Sequence, residues 1–135
     1  MLTKDDMLVA LHDAITEDQE FELADEIVDA MEAYPQPFDL VAPILELIAN
    51  HPEVDFGSPG ELVHFVEKFY HQGYEDLLLE SVLKSPTVHN IWMLHRCYND
   101  NDPNLVRQIK TLVGELKKDK TLDSQVRSMI EDLTW

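Results

Sequence analysis

Apolar residues recur at intervals of three and four along most of this chain, and that spacing restricts its fold more than any other feature. A period of this kind places apolar side chains on one face of an α-helix, whereas a half-buried strand requires alternation at a period of two. In the segment that follows Pro103, the inward residues are Leu105, Ile109 and Leu112. Eight segments follow the helical rule and none forms a convincing strand pattern, so the sequence predicts an all-α fold.

Capping residues and prolines mark where several of these helices begin. Such start signals stand at Thr3 with Asp6, at Thr87, and at Asp102–Pro103. The sequence GSPGELVHFVEKFY suggests another start, with Ser58 as the cap, Pro59 at the first helical position and Glu61 completing a capping box. The fourth helix is therefore expected to begin at Ser58.

The chain of 135 residues has the length of one ordinary domain, and we expect residues 1–135 to form a single all-α domain. The connections between predicted helices are mostly two to five residues long, which is typical of packed antiparallel helices. Such helices could form a closed bundle or a short α-solenoid of the HEAT/armadillo type. The third helix, within residues 38–52, is apolar nearly all round, which predicts a central position.

The net charge of −17 excludes a generic nucleic-acid binder and disfavours binding to anionic membranes, because both need a basic surface. No apolar run approaches the roughly 20 residues that span a bilayer, and the start MLTKDDMLVA lacks the pattern of a secretory signal. Cys97 is the only cysteine, so the chain cannot form an intrachain disulfide. These features lead us to expect a cytoplasmic protein. We also expect the chain to be a monomer when it is not bound to a partner.

The acidic residues are concentrated in the first half of the chain. Residues 1–67 contain 17 acids and one base, Lys4, whereas residues 68–135 contain 10 acids and nine bases. A solvated surface that maintains solubility is one interpretation, but solubility alone does not require such segregation. A concentrated negative field favours and steers a basic partner. A calcium site is a weaker interpretation, because the chain has no D-x-D-x-D-G loop.

Residues 16–34, TEDQEFELADEIVDAMEAY, contain eight carboxylates and no Lys or Arg. Taken as one helix, the segment has an apolar face and an opposite acidic face spanning about 120°. This acidic face is the predicted partner-binding site, and its residues are Asp18, Glu22, Asp25, Glu26, Asp29 and Glu32. Like charges four residues apart repel one another, so holding them together on a helix suggests a purpose beyond folding.

Three residues have a spacing that could support a metal or acid–base site: His64, Glu67 and His71. The chain has no H-E-x-x-H motif and no second ligand pair, so we expect structural or surface roles for them. No nucleophilic triad, phosphate-binding glycine loop or dinucleotide fingerprint is present either. The sequence therefore predicts a non-enzymatic protein with no cofactor and no metal.

The sixth helical segment carries three further candidates for specific interactions. Trp92 and Arg96 are four residues apart and could stack as a cation–π pair. His95 is expected to be a hydrogen-bonded core histidine. Cys97 is expected to be a buried, inert thiol rather than a nucleophile.

Residues 57–99 resemble a known family, through the G-S-P-G start, the L-L-L-E-S-V segment and the S-P-T-x-H-x-I-W-M-L stretch. The family comprises the small all-α immunity proteins of bacterial contact-dependent growth-inhibition and other polymorphic-toxin systems. The resemblance implies a cytosolic antidote that binds one cognate toxin domain in a one-to-one complex and blocks its active site. Many such toxins are nucleases, which are basic because they bind phosphate.

Two other functions remain open from the sequence. A non-enzymatic acidic adaptor or scaffold could bind a partner helix or a basic protein, with its acids serving only solubility. An enzyme using His64 and Glu67 is the remaining alternative. Binding that survives high salt would favour the adaptor, and a pH–rate profile abolished by His64→Ala would favour the enzyme.

Overall fold

Eight α-helices and one short 3₁₀ helix make up the part of the chain that the structure, a computed structural model, describes: residues 2–99 and 102–135. The α-helices are α1 (Lys4–Asp13), α2 (Asp25–Ala33), α3 (Val41–Asn50), α4 (Glu61–Glu67), α5 (Tyr74–Lys84), α6 (Val88–Tyr98), α7 (Pro103–Lys118) and α8 (Ser124–Asp132). The 3₁₀ helix, Pro37–Leu40, leads directly into α3. Within the described ranges the only extended pairings are two isolated bridges, so the all-α prediction is confirmed.

Three of the predicted helix caps form. Thr3 and Asp6 make a reciprocal capping box at α1, and the Asp102 carboxylate accepts hydrogen bonds from backbone amides at the start of α7. At α6, the Thr87 hydroxyl accepts from the amide of Asn90, and the Asn90 side chain accepts from the amide of Thr87. Each cap satisfies amides that the helix leaves without an intrahelical acceptor.

The predicted start of α4 is wrong. The helix begins at Glu61, its N-cap is Gly60, and no side chain caps it. Gly57 and Gly60 both have positive φ, of 104° and 83°, which turns the chain back tightly before the helix. Ser58 and Pro59 therefore lie in this turn, where the glycine conformations rather than a capping box set the helix start.

Helix α3 lies among four other elements: the 3₁₀ helix, α4, α5 and α6. Its buried side chains are Val41, Ile44, Leu45, Leu47 and Ile48. Pro43 is the third residue of α3, a position whose amide needs no intrahelical acceptor, so the proline fits without breaking the helix. The other buried apolar residues extend this cluster from Met7 in α1 to Ile130 in α8.

The later helices pack mainly on near neighbours along the chain. Helix α5 packs on α6 and α7, and α6 packs on α7 and α8. At the other end, α1 packs on α2, and α2 packs on the 3₁₀ helix. No helix in the described part of the chain is both long and apolar enough to cross a membrane.

The same substitution at two glycines should change stability in opposite directions. A Cβ at Gly60 would lie 1.9 Å from the carbonyl oxygen of Phe56, and φ there is +83°, so Gly60→Ala should lower the free energy of unfolding by about 2 kcal/mol or more. At Gly114, inside α7, a Cβ would meet nothing within 4 Å, so Gly114→Ala should raise the free energy of unfolding by about 0.5–1 kcal/mol. Urea denaturation measures both; a neutral Gly60→Ala would contradict the tight turn.

Candidate partner-binding surface

The six carboxylates predicted to bind a partner are all exposed. Four of them, Asp25, Glu26, Asp29 and Glu32, lie on α2, whose inward face carries the buried Met31. Asp18 and Glu22 lie outside any helix. The structure thus exposes every predicted residue, but it does not place the six on one helical face.

The prediction of a helix from residue 16 is wrong, because α2 begins only at Asp25. Residues 16–20 form a turn in which the Thr16 amide donates to the carbonyl of Glu20 at 2.8 Å. The carbonyl of Gln19, a residue with φ of +62°, accepts from the amide of Asp55 at 2.9 Å. This pairing with a distant segment replaces the local helical bonds.

Two physical terms favour the turn over a longer helix. The ring of Phe21 packs against that of Phe56, with centroids 5.2 Å apart, which gives the segment a tertiary contact that sequence periodicity does not reveal. Because the helix begins only at Asp25, Glu22 and Glu26 also do not form a like-charge helical pair, which would oppose helix formation. Asp25 and Glu26 then lie in the first turn of α2, where the helix dipole favours carboxylates.

Glu32 is the one predicted residue with a basic partner in the described part of the chain. Lys68 Nζ lies 2.9 Å from Glu32 Oε1, and both side chains are about half exposed, at 52% and 50%. An ion pair this exposed contributes little to stability. The pair does place the positive charge of Lys68 beside α2. Lys68 is the first Lys or Arg after the stretch from Asp5 to Glu67, which contains neither.

An apolar groove opens between α2 and α4, and one of the six predicted carboxylates, Glu32, lines it. Its volume is about 120 Å³. It is lined by Leu23, Val28, Met31, Glu32, Glu61, Leu62, His64, Phe65 and Lys68. Sequence reasoning missed this groove because its walls come from segments about 30 residues apart, and neither segment signals it alone.

The histidine–glutamate constellation does not form one helix face. Helix α4 ends at Glu67, so His71 lies beyond it with φ of +64°, and its backbone amide donates to the Glu75 carboxylate at 2.7 Å. His64 is exposed at the α2–α4 groove, whereas Glu67 turns toward α6. Among the described residues, no group of three or more His, Cys, Asp or Glu is arranged to hold a metal ion.

Glu67 instead anchors a polar network between α4 and α6. The Arg96 guanidinium donates to both carboxylate oxygens, with distances of 2.6 Å from Nε and 2.8 Å from Nη2. The Tyr70 hydroxyl donates to the same carboxylate at 2.8 Å. Arg96 also lies 5.3 Å from the centre of the Trp92 ring, which confirms the predicted cation–π pair.

The network determines the protonation states of its members. Burial on its own raises the pKa of Glu67, but the hydrogen bonds from Arg96 and Tyr70 outweigh burial and hold that pKa below its usual value. Burial and the hydrogen bond to Glu67 raise the pKa of Tyr70, so its hydroxyl remains a donor. Glu67 therefore acts as a permanently charged structural link at neutral pH.

The remaining predictions for α6 agree with the structure in part. Cys97 is buried, and burial raises the pKa of its thiol to about 12, which confirms the expectation of a buried thiol and disfavours its thiolate. His95 is hydrogen-bonded as expected, with Nε2 2.9 Å from the carbonyl of Thr134. It is only half-buried, however, so it is not a core residue, and its ring lies against that of Trp135 with 5.0 Å between the ring centres.

No family model, curated protein or solved structure matches the chain.

The Glu67–Arg96 pair should make stability depend on pH in a specific direction. Because the pKa of Glu67 is lower in the folded chain than its usual value near 4.5, its stabilisation is complete above that value and is lost as pH falls through the folded pKa. Glu67→Gln should therefore lower the free energy of unfolding by about 1–3 kcal/mol at pH 7. The difference in the free energy of unfolding between Glu67→Gln and the wild type should become smaller below about pH 4.5.

Denaturant unfolding at several pH values between about pH 7 and pH 3 measures this difference in the free energy of unfolding. Glu61→Gln removes a carboxylate from the same helix but outside the Arg96 network, and it controls for the loss of one charge. If the difference in the free energy of unfolding between Glu67→Gln and the wild type stays constant across the acid range, the charged Glu67–Arg96 pair is not what stabilises the fold.

Proposed function

We propose that the chain is an immunity protein that binds a cognate toxin domain and neutralises it by blocking its active site. The partner is a basic protein, of nuclease type, held in a one-to-one complex in the cytoplasm. The observation that carries the proposal is the segregation of exposed acids: every Asp and Glu of residues 2–67 except Glu67 is exposed. The resemblance of residues 57–99 supports the same function.

The negative surface suits a nuclease because the active-site cleft of a nuclease must attract phosphates. A cleft with enough positive charge to bind a nucleic-acid backbone also attracts a closely spaced set of carboxylates. Such complementarity raises the association rate and fixes orientation more than it adds affinity. Repulsion among the α2 carboxylates would be relieved when the partner's cations come between them.

For the arrangement of the helices, we propose a short α-solenoid rather than a closed bundle. In a solenoid each unit contacts mainly its neighbours along the chain. The packing of α5 on α6 and α7, and of α6 on α7 and α8, supports this arrangement. Such a stack would display α2 and α4 as part of an extended surface.

Co-expression tests the proposal. The product of the gene immediately upstream, taken as the candidate toxin domain, is expressed in cells with and without this chain. Growth arrest that the chain relieves is the expected result, and co-purification at low and high salt then tests the electrostatic contact. A neighbour that stays toxic while both proteins are well expressed would contradict the proposal, as would a harmless neighbour.

The alternative is an acidic adaptor, and one observation favours it. Val9 and Leu83 are large apolar side chains left 60% and 66% exposed, so each is accessible to an apolar group of a partner. If the chain is an adaptor, binding should persist at high salt and be lost in Val9→Ser or Leu83→Ser. If it is an electrostatic inhibitor, these variants should bind normally and added salt should weaken binding.

Charge reversal on α2 should slow association with the toxin domain. The variant Asp25→Lys/Asp29→Lys is expected to reduce the association rate constant roughly tenfold at low salt and to flatten its salt dependence. The control, Glu115→Lys/Glu131→Lys, reverses two exposed acids on α7 and α8. Each double reversal changes the net charge from −17 to −13, so the pair separates position from total charge.

Stopped-flow measurements at several salt concentrations provide the comparison. Equal slowing by the two double variants would show that only total charge matters, and it would contradict α2 as the contact face.

A further inference from the structure

We propose that the groove between α2 and α4 receives one apolar side chain of a basic partner, while neighbouring Lys or Arg residues of that partner pair with the carboxylates at its rim. The inference rests on the proposed function and deepens it, because it assigns the point of contact. It also identifies the recognised chemistry as an aliphatic or aromatic residue within a cationic segment.

The floor of the groove is rigid and apolar. Met31, Leu62 and Phe65 are 2%, 0% and 5% exposed, so they are fixed by the core below them. Leu23 and Val28 at the walls are only half-buried, which leaves apolar surface in contact with water. Covering that surface with an apolar group is favourable, so the groove can gain free energy from a partner.

The size of the groove limits the occupant to a single side chain. Its volume is about 120 Å³, and apolar cavities of about 150 Å³ in proteins accept a benzene molecule. A leucine, methionine or phenylalanine side chain is of this order, whereas a whole helix face is not. An anchor residue that enters a pocket beneath a polar rim is a common form of binding hot spot.

The charges at the rim determine the kind of segment that carries the anchor. Glu32 and Glu61 line the groove, and Asp25 and Asp29 continue the negative surface along α2. Lys68 is the one Lys or Arg at the rim, and it is paired with Glu32 in the free chain. A partner's arginine could replace Lys68 on Glu32, since a planar guanidinium binds a carboxylate through two hydrogen bonds.

Three other grooves on the first half of the fold lack this combination. One, formed by the loop of residues 52–58 with α6 and Met129, is lined by Glu53 and Asp55 but by no residue of α2. The groove between α1 and α3 and the groove between α3 and α5 share Glu46 as their only acid from residues 1–67. Neither is lined by a residue of α2. The α2–α4 groove thus joins an apolar recess to the acidic helix, which none of these three grooves does.

A pair of synthetic peptides tests the groove directly. One is a short Lys/Arg-rich peptide with a single central leucine, and the other has serine at that position. In titrations of the methyl-labelled chain followed by NMR, the leucine peptide should shift the methyl signals of Met31, Leu62 and Val28. The serine peptide should bind roughly tenfold more weakly and leave these methyl signals in place.

Two tryptophan variants on α2 provide a matched control. Val28→Trp fills the groove and should abolish the preference for the leucine peptide. Ala33→Trp adds the same ring at an exposed residue outside the groove lining and should retain it. A preference unchanged by Val28→Trp in the folded variant would overturn the groove as the anchor site.

Lys68→Gln provides a second test, in which the substituted side chain is exposed rather than part of the core. By removing the base beside Glu32 it should tighten binding of the leucine peptide by roughly twofold or more at low salt, whereas Lys110→Gln, on α7, should change it less. If Lys68→Gln and Lys110→Gln change the affinity for the leucine peptide equally, the rim carboxylates do not pair with the cations of the peptide as proposed.

The remaining outcomes distinguish the groove from the proposed function. Equal binding of both peptides, spread over the acidic residues, would overturn the groove while leaving the inhibitor function intact. The leucine peptide could bind in the groove although the chain fails to rescue growth. That result would support the groove as a binding site and would contradict the toxin as its ligand. Groove methyl shifts that depend on protein concentration without peptide would indicate a second copy of the chain as the occupant and overturn the proposal.

Discussion

Enclosure of α3 is the constraint on which the rest of the structure depends. The 3₁₀ helix, α4, α5 and α6 all pack on it, and its exposed residues Ala42, Glu46 and Asn50 lie four apart on one narrow stripe. Burial of apolar surface is the main favourable term in folding, so the elements around α3 must turn their own apolar faces inward. The carboxylates of the first half are thereby left on the outside, mostly on α1, α2 and the loops.

Two ion pairs connect this acidic half to the rest of the chain. Among the described residues, the pairs formed by a Lys or Arg are Lys68–Glu32 and Arg96–Glu67, and each joins an acid from residues 1–67 to a base beyond them. They differ in burial: the Glu67 side chain is 10% exposed, whereas that of Glu32 is 50% exposed. The Arg96–Glu67 pair is therefore suited to hold α4 on α6, whereas the Lys68–Glu32 pair leaves its carboxylate available for exchange with a partner.

Much of the helical framework could be predicted from local signals in the sequence. The caps at Thr3, Thr87 and Asp102 form because a side-chain oxygen and its amide are only two or three residues apart. The Trp92–Arg96 contact is likewise set by helical spacing. Interactions of this range depend on sequence neighbours and little else, so they can be read before the fold is known.

Features that depend on distant segments could not be predicted in the same way. Residues 16–24 have a helical pattern, yet their pairing with Asp55 and the contact of Phe21 with Phe56 favour a turn. The sequence predicts a structural or surface role for Glu67, but it does not reveal the partner: Arg96 is 29 residues away in the chain, and its Nε lies 2.6 Å from Glu67 Oε2. The six predicted carboxylates are exposed because charge remains at the surface, but their relative placement depends on where α2 begins.

Hydrogen exchange of backbone amides, measured with and without the cognate toxin domain, tests most directly the claim that the acidic half contacts the partner. We expect slower exchange on binding in residues 25–33 and 61–68, with little change in α7 and α8. Protection confined to α7 and α8, in a complex that still neutralises the toxin, would contradict it and would leave the carboxylates of α2 with a role in solubility alone.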